Sequence, residues 1–380
     1  MKNLLKRRVS MNKKENIKII FSAGGTGGHI LPALAVADKI KTLHPKAKIL
    51  FIGATGRMEM EKVPEAGYDI VGLPIMGIQR NFSLQNLKFP FMLLYSLFKA
   101  RKTIKQFAPD AVVGFGGYAS GPTLRIAQNR NIPTFLQEQN SFPGITNKLS
   151  AKKAVKIFVA YENMDSFFAK EKTIFSGNPI RLSLLRELKT KSRARKIFHL
   201  DENKPTVFIM GGSQGARAIN EAIHNHLDKY HNDDIQLIWQ TGKHYIQQAK
   251  FDIKRLNISG VKPFVFINNI DDAFAAADIV VSRAGALSIA ELSITGKACV
   301  FVPLPTAAED HQTKNALQLV EKNAAKLIKN SDTNKDLYNT ITTLLKNELE
   351  ITKLEKNIKF FAKPNATETI AKEILKNIKQ

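Results

Sequence analysis

The sequence predicts an α/β protein made of two nucleotide-fold domains, each a parallel sheet flanked by helices. Three observations carry that expectation. Short apolar runs alternate with helical patterns along the chain. A glycine-rich turn between a strand and a helix, Ser22 to His29 (Ser-Ala-Gly-Gly-Thr-Gly-Gly-His), returns about 190 residues later as Gly211-Gly212-Ser213-Gln214-Gly215. Turn chemistry at Ser176 to Arg181, followed by the polar and basic stretch Leu188 to Lys196, separates the two halves near Asn178. With 380 residues and 44% hydrophobic content, the chain can bury two ordinary cores.

Ile17 to Phe21 is a β-branched run and predicts the first strand; Pro32 then opens a helical pattern in which Leu34, Ala37, Ile40 and Leu43 recur. Four glycines between them allow φ > 0 and bring N–H groups toward a ligand, beside the positive end of a helix dipole. An anionic or polyhydroxylated ligand suits such a turn. It is no dinucleotide fingerprint, because Ile30 stands where the third glycine belongs, and no P-loop, because Gly-Lys-Ser/Thr is absent. Strands follow at Lys48 to Gly53, Tyr68 to Leu73, Ala111 to Gly114 and Thr134 to Leu136, with helices ending near Gly67 and spanning Gly121 to Arg130. The loops Gly114 to Gly121 and Glu138 to Gly144 fall at strand carboxyl ends and share one crevice with the first glycine turn.

Between these lies Phe89 to Phe98, apolar and fringed by Arg80, Lys88, Lys99, Arg101, Lys102 and Lys105. It reads as a segment lying on an anionic membrane surface or as a core helix with a solvated basic end. Phe91, Leu93, Leu94, Leu97, Lys99 and Arg101 are its candidate membrane-facing residues. No apolar run reaches the ~20 residues needed to cross a bilayer.

The second half restarts with the strand Thr206 to Met210, its glycine turn and a helix from Ala216. Strands at Gln236 to Trp239, Pro263 to Phe266 and Asp278 to Ser282 follow, with a loop at Ile267 to Asp272. Arg283 to Ser288 opens a helix over Ile289 to Ile294 that carries Glu291; then come the strand Cys299 to Pro303 and a loop with Glu309 to Gln312. Asn365 three residues before Glu368 predicts a capping box for the last helix, with Ile370, Ile374 and Ile378 on one face. Cys299, the single cysteine, sits in an apolar run and reads as strand filler in a chain without internal disulfides.

Fifty-seven Lys and Arg against 33 Asp and Glu give a formal charge of +24, which implies a polyanionic partner: nucleic acid, an anionic bilayer or a phosphorylated substrate. Residues 1–16 form a basic tail without a signal-peptide h-region, expected to be disordered. The expected domains are 17–178 and 179–359.

Taken together, Gly24-Gly25-Thr26-Gly27-Gly28-His29, Gly116-Gly117-Tyr118-Ala119-Ser120-Gly121-Pro122, Glu138-Gln139-Asn140, Gly177-Asn178-Pro179-Ile180-Arg181, Gly211 to Ala216 and Ser288-Ile289-Ala290-Glu291-Leu292 resemble one family in register. It is the MurG family of bacterial N-acetylglucosaminyltransferases, which complete the lipid-linked peptidoglycan precursor. The resemblance runs from about Ile17 to the C-terminus; the basic tail lies outside it. It implies a GT-B glycosyltransferase: two Rossmann-like domains facing across a cleft, with the C-terminal helix, about 360–380, packing back on the first domain. The implied reaction is inverting and metal-independent, without a cofactor. It transfers GlcNAc from UDP-GlcNAc to the MurNAc C4 hydroxyl of undecaprenyl-pyrophosphoryl-MurNAc-pentapeptide, on the cytoplasmic face of the bacterial inner membrane. The absence of any Asp-x-Asp agrees with this.

By the same resemblance, Ser213 and the second glycine turn bind the UDP pyrophosphate, and Arg181 stabilises the departing UDP. Glu291 accepts from the ribose hydroxyls, and main chain near Ile267 reads uracil. Ala286, Leu287, Ser288 and Gln312 complete the donor site, Gln312 being anchored on the following Asn315-Ala316. Thr26, Gly27, Gly28 and Asn140 close over the sugar and the acceptor. His29 is the candidate general base, since a free imidazole is partly neutral at working pH; its other reading is a ligand of acceptor phosphate or a backbone carbonyl. His224 and His226 stand two apart and make no metal pair, and His311 neighbours the donor site.

Rival readings are a GT-B UDP-GlcNAc 2-epimerase, which shares fold and donor but has no lipid acceptor, and a NAD-dependent dehydrogenase, which lacks the third glycine. A non-enzymatic polyanion binder such as a nucleic-acid protein would explain the charge, yet the basic residues are scattered without a recognition motif.

Overall fold

The computed structural model describes residues 16–77, 88–212, 215–307 and 310–378. The tail up to residue 15, Arg80, the stretch 82–87, Ser213 and Glu309 therefore lie outside the described residues.

Among the described residues, the first domain interleaves strands β1 (Lys18–Ser22), β2 (Lys48–Ala54), β3 (Asp69–Leu73), β4 (Ala111–Gly114), β5 (Thr134–Glu138), β6 (Lys156–Val159) and β7 (Thr173–Phe175) with five α-helices. These are α1 (Gly27–Leu43), α2 (Glu59–Glu65), α3 (Phe89–Phe107), α4 (Ser120–Asn129) and α5 (Ile145–Ala151). All seven strands are parallel, in the order β3-β2-β1-β4-β5-β6-β7.

After α6 (Lys191–Ile197), the second domain builds its sheet from β8 (Thr206–Met210), β9 (Gln236–Gln240), β10 (Val261–Phe264), β11 (Ile279–Ser282), β12 (Ala298–Phe301) and β13 (Lys326–Leu327). Its helices are α7 (Arg217–His224), α8 (Leu227–Asn232), α9 (Ile246–Arg255), α10 (Ile270–Ala276), α11 (Ala286–Thr295), α12 (His311–Val320), α13 (Thr333–Leu345) and α14 (Glu348–Ile358). The order β10-β9-β8-β11-β12-β13, again all parallel, repeats the first domain's.

Both sheets are covered on two faces, and that is why their central strands read as continuous apolar runs. Ile19 and Phe21 enter one core layer while Ile20 enters the opposite one. In the second domain Val207 and Ile209 face one layer, and Phe208 and Met210 the other. Cys299 is buried in that second layer, on β12.

In each domain the strand order reverses beside the first strand, between β1 and β4 and between β8 and β11. Ligands of open α/β sheets bind at such switch points, outside the carboxyl ends of the strands. Here those ends carry the two glycine turns, the Gly116-Gly117 loop and the start of α11.

The last helix, α15 (Ala366–Asn377), leaves the second domain and packs Ile370, Ala371 and Ile374 into the same core layer as Ala33, Val36 and Ile40 of α1. Its capping box does not form: the Asn365 side chain makes no cap bond, and Glu368 instead pairs with Lys39 of α1 at 2.9 Å and with Lys372. A salt bridge between helices has taken the carboxylate that a local cap would use. Pro32 likewise does not open α1 but lies inside it, because Gly27 and Gly28 already adopt helical geometry and start the helix earlier. Leu43, expected on the buried face, is exposed at the helix end. Among the described residues, no helix is long and apolar enough to cross a membrane.

Candidate active site

The first wall of the cleft is the turn from β1 into α1. Only Gly25 of its four glycines takes a positive φ, +92°. Gly24 serves differently: a Cβ there would sit 2.8 Å from Glu59 Oε1, so close approach and not φ requires glycine. The Gly27 and Gly28 N–H groups precede any i−4 partner within α1, whereas His29 N and Ile30 N donate to Thr26 O at 3.1 and 3.3 Å.

His29, half-buried in that first turn, has Nδ1 3.0 Å from Gly24 O and 3.3 Å from Thr26 Oγ1. A carbonyl only accepts, so Nδ1 carries the proton and Nε2 of the neutral ring holds the lone pair. Burial lowers the imidazole pKa; the Gly24 carbonyl raises it in part, and His311 across the cleft lowers it further. The loop after β4 closes over this arrangement. Gly117, at φ +80°, presses so near that a Cβ would stand 2.1 Å from Gly24 O.

Asn140 is presented by a loop organised on a buried carboxylate. Glu138 accepts from Asn140 N and Gly144 N, each at 3.1 Å, and from Asn147 Nδ2 at 2.8 Å. Burial pushes its pKa up, and the three donors pull against that shift. At the junction of the domains, Asn178 Nδ2 donates to Gln139 O at 3.1 Å and to Ala286 O at 3.4 Å, tying the first domain to the start of α11. Ser141 Oγ donates to Asn315 Oδ1 at 3.0 Å across the same gap.

The second wall is the amino end of α11, where Leu287 and Ser288 are half-buried and Glu291 is buried. Glu291 Oε1 accepts from Arg181 Nε at 2.9 Å. Burial raises the Glu291 pKa, and the Arg181 charge and hydrogen bond oppose it. The Ile267 N–H is held by Gln240 Oε1 at 2.9 Å, so its carbonyl is the main-chain group left to meet a ligand. Gln312 turns its Oε1 to Leu304 N at 3.0 Å, fixing the loop before α12. His224 lies 3.2 Å from Asp252 and His226 stacks on Tyr338, both away from the cleft.

Both domains match known proteins. The glycosyltransferase family 28 N-terminal domain matches residues 19–159, and the family's C-terminal domain matches residues 206–373. A protein of Christiangramia forsetii named UDP-N-acetylglucosamine--N-acetylmuramyl-(pentapeptide) pyrophosphoryl-undecaprenol N-acetylglucosamine transferase is 48% identical over 96% of this chain and 99% of its own. The same-named protein of Flavobacterium psychrophilum is 49% identical over 95% and 98%. The crystal structure of Acinetobacter baumannii MurG superposes with a TM-score of 0.72 at 30% identity, covering 95% of this chain and 99% of that one. The chain belongs to the MurG family of glycosyltransferases. A UDP-GlcNAc 2-epimerase of Neisseria meningitidis, TM-score 0.67 at 16% identity over 95% of this chain and 100% of that one, shares the fold.

In this MurG-family chain the apolar-basic helix α3 is two-faced, and the structure corrects which residues point outward. Leu93 packs against the first domain's core and Leu97 is half-buried on that side with Ala100 and Ile104. Phe91 and Leu94, 75% and 65% exposed, share the outer face with Tyr95 and Phe98, and Arg101, Lys102 and Lys105 extend it. Helical rotation of 100° per residue puts 93, 97, 100 and 104 on one side and 91, 94, 95 and 98 on the other. Lys99 lies half-buried at the margin.

Sequence reasoning missed Glu59, Gln240, Ser141 and Asn315, whose partners lie far away in sequence. It also missed the role of Glu138, although that residue stood inside a recognised motif.

Proposed function

We propose that this protein transfers GlcNAc from UDP-GlcNAc to the C4 hydroxyl of the MurNAc unit in undecaprenyl-pyrophosphoryl-MurNAc-pentapeptide, with inversion at the anomeric carbon. The observation that carries the catalytic assignment is the His29 imidazole, whose Nδ1 is held by Gly24 O at 3.0 Å. That leaves Nε2, 3.1 Å from where a Cβ on Gly116 would stand, as the ring nitrogen able to take a proton. In the reaction His29 Nε2 takes the C4 hydroxyl proton as that oxygen attacks the anomeric carbon. The bond from the anomeric carbon to the β-phosphate oxygen breaks, and its electrons leave with UDP.

The departing diphosphate meets the N–H groups opening α11, those of the second glycine turn with Ser213, and the Arg181 guanidinium. Its Nε is engaged by Glu291, and its Nη donors serve the phosphates. Glu291 retains a second oxygen for the ribose hydroxyls, and the Ile267 carbonyl suits a uracil N–H. Ala286, Leu287, Ser288 and Gln312 line the donor side; Thr26, Gly27, Gly28 and Asn140 line the acceptor side.

The outer face of α3 places an apolar patch with a basic margin on the first domain, suited to docking on the anionic cytoplasmic surface of the cell membrane, where a lipid-anchored acceptor resides. Incorporation of labelled GlcNAc into lipid, measured with and without a short-chain MurNAc-pyrophosphoryl-lipid acceptor, tests the assignment. Acceptor-dependent glycolipid is expected. Epimerised sugar or UDP release without acceptor would overturn it, as would saturable duplex binding without any turnover.

A further inference from the structure

One peptide unit links His29 to a buried carboxylate that no step above uses. Glu59, in the first turn of α2, is fully buried beneath the glycine turn. Its Oε1 accepts from Ala54 N at 2.9 Å and Gly25 N at 3.1 Å, and its Oε2 lies 3.2 Å from Gly25 N. The Gly25 N–H belongs to the same peptide whose carbonyl, Gly24 O, takes the proton of His29 Nδ1 at 3.0 Å. The order is therefore carboxylate, amide N–H, amide C=O, imidazole N–H.

A carboxylate that accepts from an amide N–H pushes electron density through the amide resonance onto the carbonyl oxygen, making it a stronger acceptor. Gly24 and Gly53 make room for the side chain, since a Cβ at Gly53 would stand 2.6 Å from Glu59 Cγ.

We propose that Glu59 is a positioning residue for the transfer: through the Gly24–Gly25 peptide it holds His29 in the Nδ1–H tautomer and aims Nε2 at the acceptor. This rests on the reading of His29 as the base. A carboxylate pairing directly with the imidazole would do the same work but would occupy the cleft. Routing the charge through one peptide keeps the carboxylate under the loop and leaves the cleft to substrate. His311 of α12 is the titratable group that acts on His29 from the opposite wall, and it acts on the ring directly, not through this peptide.

The test uses the full-length protein with imidazole ¹⁵N labelling. In the wild type, His29 is expected as the Nδ1–H tautomer at neutral pH, with the Gly25 amide proton shifted downfield by its carboxylate partner. In Glu59→Gln the imidazole is expected to populate both tautomers, and kcat to fall about tenfold while both KM values and UDP binding stay within about twofold. In a His29→Ala background, Glu59→Gln should cost nothing more, because the path has lost its end.

An Nε2–H imidazole in the wild type would overturn the proposal. So would an unchanged tautomer in Glu59→Gln, or an equal loss of kcat in the His29→Ala background, which is the mark of a merely structural carboxylate. If Glu59→Gln does not fold, the wild-type tautomer and Gly25 amide shift still decide. Retained kcat in His29→Ala alone would instead sink the base assignment, leaving the tautomer measurement to judge Glu59 separately.

Discussion

Arg181 Nε donates to Glu291 Oε1 at 2.9 Å, joining the end of the domain connection to a buried carboxylate in α11, 110 residues away in sequence. Under the proposed function, a guanidinium that grips this carboxylate and offers its remaining donors to a diphosphate would couple ribose recognition to leaving-group stabilisation. Hydrogen bonds to charged groups contribute about 1.5–3 kcal/mol. Glu291→Ala is therefore expected to raise the KM for UDP-GlcNAc by about 10- to 100-fold, and Arg181→Met to lower kcat as well. Steady-state kinetics at saturating acceptor decides; an unchanged donor KM in Glu291→Ala would remove Glu291 from the donor site.

With Glu291 in the proposed donor site, the same carboxylate predicts a pH dependence of donor binding. Burial raises the Glu291 pKa against the pull of Arg181; the ionised form accepts from Arg181 and, under the proposed function, would accept from ribose. As pH falls, Glu291 takes up its proton earlier than an ordinary carboxylate with a pKa of about 4.3. Donor affinity, followed by calorimetric titration of UDP, is expected to weaken at a pH above that range, and Glu291→Gln should flatten the dependence.

His29 moves the other way. Burial depresses its pKa, so the neutral imidazole proposed as the base persists to lower pH than a free imidazole of about 6.5. The acid limb of kcat/KM is expected to have its midpoint below that value. Replacing the His311 imidazole by His311→Gln should move the midpoint upward, because the His311 interaction lowers the His29 pKa. A pH–rate profile of the two proteins checks the sign.

On α3 the two faces answer differently to the same substitution. Phe91→Gln with Leu94→Gln and Phe98→Gln alters only exposed positions and is expected to release the protein from anionic vesicles with UDP binding intact. Leu93→Gln buries an amide against the core and should instead destabilise the first domain by about 1–3 kcal/mol. Co-sedimentation with vesicles and thermal unfolding separate the two; full vesicle binding by the triple variant would end the docking assignment.

Gly117→Ala tests how tightly the two first-domain loops interlock. Its φ of +80° and the 2.1 Å approach of a Cβ to Gly24 O both forbid a side chain. Backbone strain alone costs roughly 1–3 kcal/mol. Circular dichroism melting should show the loss, with kcat falling because Gly24 O is the acceptor that orients His29.

Much of this protein is legible along the chain because it is encoded locally. The alternation that sends Ile19 and Phe21 to one core layer and Ile20 to the other follows from the pleat, and runs such as Ala111 to Gly114 are strands because both faces are covered. Glycine turns following β1 and β8 mark where parallel strands hand over to helices, and their repetition exposes two similar domains before any coordinate is known. Tertiary structure decided what local pattern cannot encode. Glu59 looks like an ordinary helix glutamate in sequence, and the motif that singles out Glu291 does not show what it pairs with. Their burial, and their partners Gly25 and Arg181, arise only when separate elements converge. The outward face of α3 depended on which neighbours cover it, and Glu368 left its predicted cap for Lys39 because α15 packs against α1. Periodicity and turn chemistry act over a few residues, whereas desolvation and charge pairing depend on the groups that folding brings within about 4 Å, whatever their separation along the chain.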